Sequence, residues 1–197
     1  MANFPLSEKE KLAWDFAKEA HKEQVRKFIN KPYFDAHVQK VNAIVKQHTT
    51  DEDLLCAALL HDTLEDCYED PEVGFVELKE LFGERVAKLV YELTSNGDEI
   101  DDDYEGNKAD YLTDKMIHMS EDALIIKLAD RLQNISDAFT ASERFRNKYF
   151  QETTSIIEEI EKHRRFNRIQ TLLINEIKSK LSNISSIFRI KRFGDID

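Results

Sequence analysis

The stretch LLHDTLEDC, residues 59 to 67, sets His61 and Asp62, then Glu65 and Asp66, directly after a run of apolar side chains. Residues four apart on a helix share a face, so His61 falls in line with Glu65 and Asp62 with Asp66, giving a narrow polar wall. Burying four such groups unpaired in a medium of low dielectric is prohibitively costly. A divalent cation makes adjacent imidazole and carboxylate groups stabilising instead. His61 and Asp62 are therefore read as metal ligands. They do not complete a site by themselves. Asp130, on the otherwise apolar segment EDALIIKLADRLQNISDAF, is the oxygen donor from elsewhere in the chain, and His37 in PYFDAHVQKV is the nitrogen donor. Two imidazoles with two carboxylates suit manganese, iron or zinc better than calcium or magnesium, which favour all-oxygen shells.

The elements that must position these groups are helical. Ser7 followed by Glu10 has the form of a capping box, opening a first helix through about residue 27 with Leu12, Phe16 and Ala20 on its inner face. Pro32 stops it, and a second helix is expected over about 35 to 48, with Val38, Val41, Ile44 and Val45 apolar. Thr50 is expected to cap a third, continuous helix through LLHDTLEDC. Gly83 separates two further helices, and the acidic stretch at 98 to 105 reads as a solvated loop. Beyond the helix carrying Asp130, residues 142 to 181 supply one long or two shorter amphipathic helices. The tail at 182 to 197 is left open as strand, oligomer contact or frayed end. This gives a single domain over 1 to 181 and a tail.

Composition agrees with that outline. With 197 residues, 41% hydrophobic and only five Gly and three Pro, the chain suits one compact all-α domain. A net charge of −11 argues against a nucleic-acid polymer or an anionic membrane as partner. Cys56 and Cys67 lack zinc-type pairing and are read as reduced, semi-buried thiols of a cytoplasmic protein. No segment approaches a membrane span or a signal peptide. His21, His48, His118 and His163 are read as surface or satisfied structural histidines, and Trp14 with most phenylalanines as core.

LLHDTLEDC together with IIKLADRLQNISD closely resembles the HD-domain metal-dependent phosphohydrolases, specifically the RelA/SpoT-type alarmone hydrolases, whose patterns are HDxxED and KLADRLHN. The RK…PYxxH stretch fits the same branch, and the likeness covers roughly residues 10 to 155. The resemblance implies an HD-domain helical bundle with a C-terminal helical extension, and one manganese ion held by His37, His61, Asp62 and Asp130. It implies that Glu65 and Asp66 activate or orient the attacking water, and that Arg26, Lys27, Lys127, Asn134 and Tyr149 meet a nucleotide substrate. The activity implied is removal of the 3′-diphosphate of guanosine tetra- or pentaphosphate as pyrophosphate.

Val38 replaces the family's proline after the first histidine, and Gln133 replaces the histidine of LHN. Asp137 stands where the family often has threonine, and a carboxylate there would repel or re-pattern a polyphosphate. That keeps a second substrate class in view, another phosphorylated nucleotide or a dinucleotide cofactor phosphate. A third option is a non-catalytic, metal-stabilised binding protein. Oligomeric state, a homo-oligomer included, is not legible.

Overall fold

The computed structural model describes residues 5–95 and 108–193, with 108 and 183–193 described by backbone alone. The fold is all-α, as expected, apart from one two-residue hairpin. The acidic stretch at 98 to 105 lies outside the described residues. Among them, no helix is long and apolar enough to cross a membrane.

The helix α1 spans Glu8–Ala20, and the Ser7–Glu10 capping box forms in both directions. It ends well before residue 27, because Val25–Arg26 (β1) turns back to pair with Lys31–Pro32 (β2), Val25 opposite Pro32 and Arg26 opposite Lys31. The turn between them places two non-glycine residues in the left-handed region, Phe28 at φ 68° and Asn30 at φ 54°. The inner face of α1 is also not the one expected: Ala13 and Ala17 are fully buried while Leu12 is 46% exposed. Small residues let α1 approach its neighbour closely, so the contact face is marked by alanines rather than by bulk.

Phe34–Val38 forms a π-helical turn leading into α2, Gln39–Lys46. Next comes α3, Glu52–Leu60, capped by Asp51 rather than Thr50: the Asp51 side chain accepts from the Leu54 N–H at 3.1 Å. Every residue of α3 from Leu54 to Leu60 is buried, and it packs against α1, α2 and two later helices. It does not continue through residue 67. The chain breaks at His61–Asp62 and resumes as the short α4, Thr63–Asp66. Helix ends leave carbonyls unpaired; here the His61 ring Nδ1 takes the Ala58 carbonyl at 3.0 Å, and the Thr63 hydroxyl donates to the Leu60 carbonyl at 2.7 Å.

Gly83 ends α5 (Pro71–Phe82) and precedes α6 (Glu84–Leu93). After α7 (Lys108–His118) comes the central helix α8 (Glu121–Ala138), whose Leu124, Ile126, Leu128, Leu132 and Ile135 are buried. The amphipathic segment beyond it forms two helices, α9 (Glu143–His163) and α10 (Arg168–Phe193), the latter running through position 182. Helices α2, α6, α9 and α10 all pack on α8. Its polar residues therefore emerge at one end of a dry bundle, where the hairpin and the α3–α4 break meet it.

Candidate metal centre

Three segments deliver the charged groups. The π-helical turn brings His37, the α3–α4 break brings His61 and Asp62, and α8 brings Asp130. His61 Nε2 lies 2.9 Å from Asp62 Oδ2 and 3.3 Å from His37 Nε2. His37 Nε2 lies 3.4 Å from Asp62 Oδ2 and 3.3 Å from Asp130 Oδ1. One donor atom each from His37, His61 and Asp62 falls within a mutual 4.8 Å. Asp130 joins this set through His37. Both imidazoles are buried, and the two carboxylates nearly so.

The chemistry of this donor set fits a cation. A carbonyl can only accept, so the Ala58 oxygen fixes the proton of His61 on Nδ1 and leaves the Nε2 lone pair facing the cluster. The Nε2 of His37 faces that lone pair, so the two nitrogens need a proton or a metal ion between them. Without metal the proton sits on His37. Burial disfavours its charge, but the bonds to Asp130 and Asp62 outweigh burial and hold its pKa at about 9. Burial would likewise raise Asp62, yet His61 and His37 keep its carboxyl well below the usual range. Burial opposes ionisation of Asp130 too, and Lys127 and His37 overcome it. The carboxylates are thus ionised and ready to ligate.

The surrounding shell is built of hydrogen bonds. The Tyr33 hydroxyl donates to Asp62 Oδ2 at 2.7 Å, and its ring lies between those of His21 and His37. The Asn134 amide donates to Asp130 Oδ1 at 2.6 Å, and Lys127 Nζ stands 3.4 Å from Asp130 Oδ2. Arg26 donates through Nη2 to Asn134 Oδ1 and through Nε to Asp137 Oδ2 at 2.9 Å.

Glu65 and Asp66 take up a different relation to the cluster from the one helix spacing suggested. Because α3 ends at Leu60, His61 does not stack over Glu65 in one continuous helix. Both acids are exposed at the rim and bonded away from it, Glu65 accepting from the Ser95 N–H at 2.9 Å and Asp66 from the Gln24 side chain at 2.9 Å. Desolvation by the packing around it raises the Glu65 carboxyl, the Ser95 N–H opposing. Lys27 is exposed on the hairpin turn, apart from the cluster. Tyr149 lies under the Arg131 guanidinium, 5.5 Å from ring centre to Cζ, and Arg131 is itself held by Thr153.

Tyr33 and Gln24 were not singled out from sequence. Tyr33 could have been, since it precedes His37 by four residues and a helical start there puts both on one face. Gln24 gives no such signal, its partner lying in a remote segment.

An all-helical bundle with two imidazoles and two carboxylates from three segments converging at one end defines a helical domain with a candidate metal site. The family described as HD domain matches over residues 13–164, and the chain belongs to that family. Guanosine-3′,5′-bis(diphosphate) 3′-pyrophosphohydrolase of Aquifex aeolicus (strain VF5) is 36% identical over 159 residues, 79% of this chain. The chain spans only about a fifth of that relative's length, 22%. Guanosine-3′,5′-bis(diphosphate) 3′-pyrophosphohydrolase MESH1 of Xenopus tropicalis is 34% identical over 155 residues, 74% of this chain and 80% of that protein. A solved structure described as a metazoan ortholog of SpoT that hydrolyzes ppGpp superposes with a TM-score of 0.71 at 29% identity, covering 89% of this chain and 96% of the other.

Proposed function

We propose that this chain is a manganese-dependent phosphohydrolase that removes the 3′-diphosphate of guanosine tetra- or pentaphosphate as pyrophosphate, leaving GDP or GTP. The convergence of His37, His61, Asp62 and Asp130 carries the reading. The printed activities of the Aquifex and Xenopus relatives support the substrate. A divalent cation held by these four groups supplies a Lewis acid and a water of lowered pKa.

Asp62 and Asp130, ionised by their surroundings, and the fixed tautomer of His61 present donors without prior rearrangement. Glu65, its carboxyl raised toward neutrality by desolvation, is assigned the proton of the attacking water, with Asp66 orienting that water from one turn beyond the ligands. Lys127 offsets charge beside the reacting phosphate and Lys27 at the mouth. Arg26 has two donors already committed and offers substrate its remaining edge, while Asn134 and Tyr149 line the nucleotide side. The free thiols of Cys56 and Cys67 fit a reducing, cytoplasmic setting.

The test is turnover of guanosine tetraphosphate by the purified chain with manganese and then with chelator, following pyrophosphate. Asp62→Ala should lose both bound metal and turnover. If it keeps both, the assignment is wrong. The carboxylate of Asp137 favours a second reading, hydrolysis of a different phosphorylated nucleotide, which orthophosphate release across a nucleotide panel would support.

A further inference from the structure

Asp137 is buried at the end of α8, on the hairpin side of the metal centre. Both of its oxygens are engaged by the protein. Oδ2 accepts from Arg26 Nε at 2.9 Å and Oδ1 from Gln133 Nε2 at 2.9 Å. Arg26, its side chain 17% exposed, donates from Nη2 to Asn134 Oδ1, and Asn134 Nδ2 donates to Asp130 Oδ1 at 2.6 Å. The direction of every link is forced, since a guanidinium only donates and a carboxylate only accepts. The same guanidinium lies over the Tyr33 ring, 5.4 Å from its centroid, and the Tyr33 hydroxyl binds Asp62. One arginine therefore leans on both acidic residues of the cluster, through one intermediary each.

We propose that Asp137 is a positioning residue for the metal centre: it anchors the Arg26 guanidinium, which fixes the Asn134 amide, which in turn aims Asp130. This rests on the reading of His37, His61, Asp62 and Asp130 as metal ligands. The anchor has an electrostatic side as well. A buried arginine stripped of its counter-ion seeks another carboxylate, and along this chain of bonds the next one is Asp130. Without Asp137, Arg26 competes with the cation for its own ligand. Asp137 thus serves the metal site from within the protein, with no lone-pair direction turned toward substrate that Arg26 and Gln133 do not already occupy.

The experiment uses the full chain. Manganese affinity is measured by electron paramagnetic resonance for wild type, Asp137→Ala, Asp137→Asn, Arg26→Gln and the Arg26→Gln/Asp137→Ala double variant. Asp137→Ala should weaken manganese binding about tenfold or more, the scale on which residues supporting metal ligands act. Asp137→Asn keeps an oxygen for Arg26, and the Gln133 amide can turn to suit it, so most of the affinity should return. In the Arg26→Gln background, Asp137→Ala should have no further effect. A second readout needs no metal: the Asn134 side-chain amide resonances of the metal-free protein should move on Asp137→Ala and hold position in Asp137→Asn.

Unchanged manganese affinity in Asp137→Ala, multiplicative effects with Arg26→Gln, or unmoved Asn134 resonances would each overturn the proposal. A wild-type chain that binds no manganese overturns the metal reading instead, and the Asn134 resonances still decide whether Asp137 positions this chain of side chains.

Discussion

In the metal-free protein the His37–Asp62–Asp130 cluster is held together by one proton, and removing that proton should cost stability in a defined pH window. His37 is 1% exposed and its pKa is raised from an ordinary 6.5 to about 9 by Asp130 and Asp62 against the opposition of burial. A group whose pKa rises on folding contributes its full stabilisation below the unfolded value and loses it as the pH climbs through the folded value. The loss therefore runs from about pH 6.5 to 9. At about 1.4 kcal/mol per unit, it amounts to about 3 kcal/mol, a large part of a typical domain's stability. Other groups act outside this window. His21, lowered chiefly by burial, destabilises only as pH falls below 6.5, and Cys56 and Cys67, pushed up to about 12 by burial, act only above about pH 9. Urea unfolding in chelator between pH 6.5 and 9 checks this, with His37→Gln as the variant that cannot titrate. Wild type should lose about 3 kcal/mol across the window at constant m-value, while His37→Gln stays flat. A flat wild-type profile, or the same slope in both proteins, would refute the account of the cluster.

Two further outcomes follow from contacts of the same region. Tyr33→Phe removes the hydroxyl that donates to Asp62 Oδ2, and manganese affinity measured by calorimetry should fall about tenfold with little change in melting temperature. Gly74→Ala in α5 puts a methyl 2.5 Å from Leu64 Cδ2 and 2.8 Å from the Tyr68 ring, so urea unfolding should show a loss of about 1–3 kcal/mol.

The residues that carry the centre were legible because each breaks a local rule. His61, Asp62 and Asp130 are ionisable groups within apolar helical stretches, and such a position needs a compensating partner. The helices themselves were visible from caps and spacing, as at Ser7–Glu10 and Gly83. What failed was anything decided by competition between side chain and backbone. Nothing in i,i+4 spacing reveals that the His61 ring and the Thr63 hydroxyl take the last carbonyls of α3 and so end it. Nor does a hydrophobic pattern single out Ala13 and Ala17 over Leu12 and Phe16, because the closeness of two helices depends on what is missing from a side chain. Asp137 was noticed as unusual from sequence, but its partner Arg26 stands 111 positions away, so its role needed the fold.

The π-helical turn over Phe34–Val38 gives the aim of His37 a peculiar dependence on chain length. Such a turn is equivalent to an α-helix carrying one surplus residue. Excising a single position there would let the segment relax to ordinary helix, yet shift its phase by about 100°. Either Tyr33 would rotate off Asp62 or the apolar face of α2, with Val41 and Val45, would rotate off the core. The imidazole's direction is thus recorded in how many residues the turn contains, so a one-codon deletion that spared every ligand could still dismantle the centre.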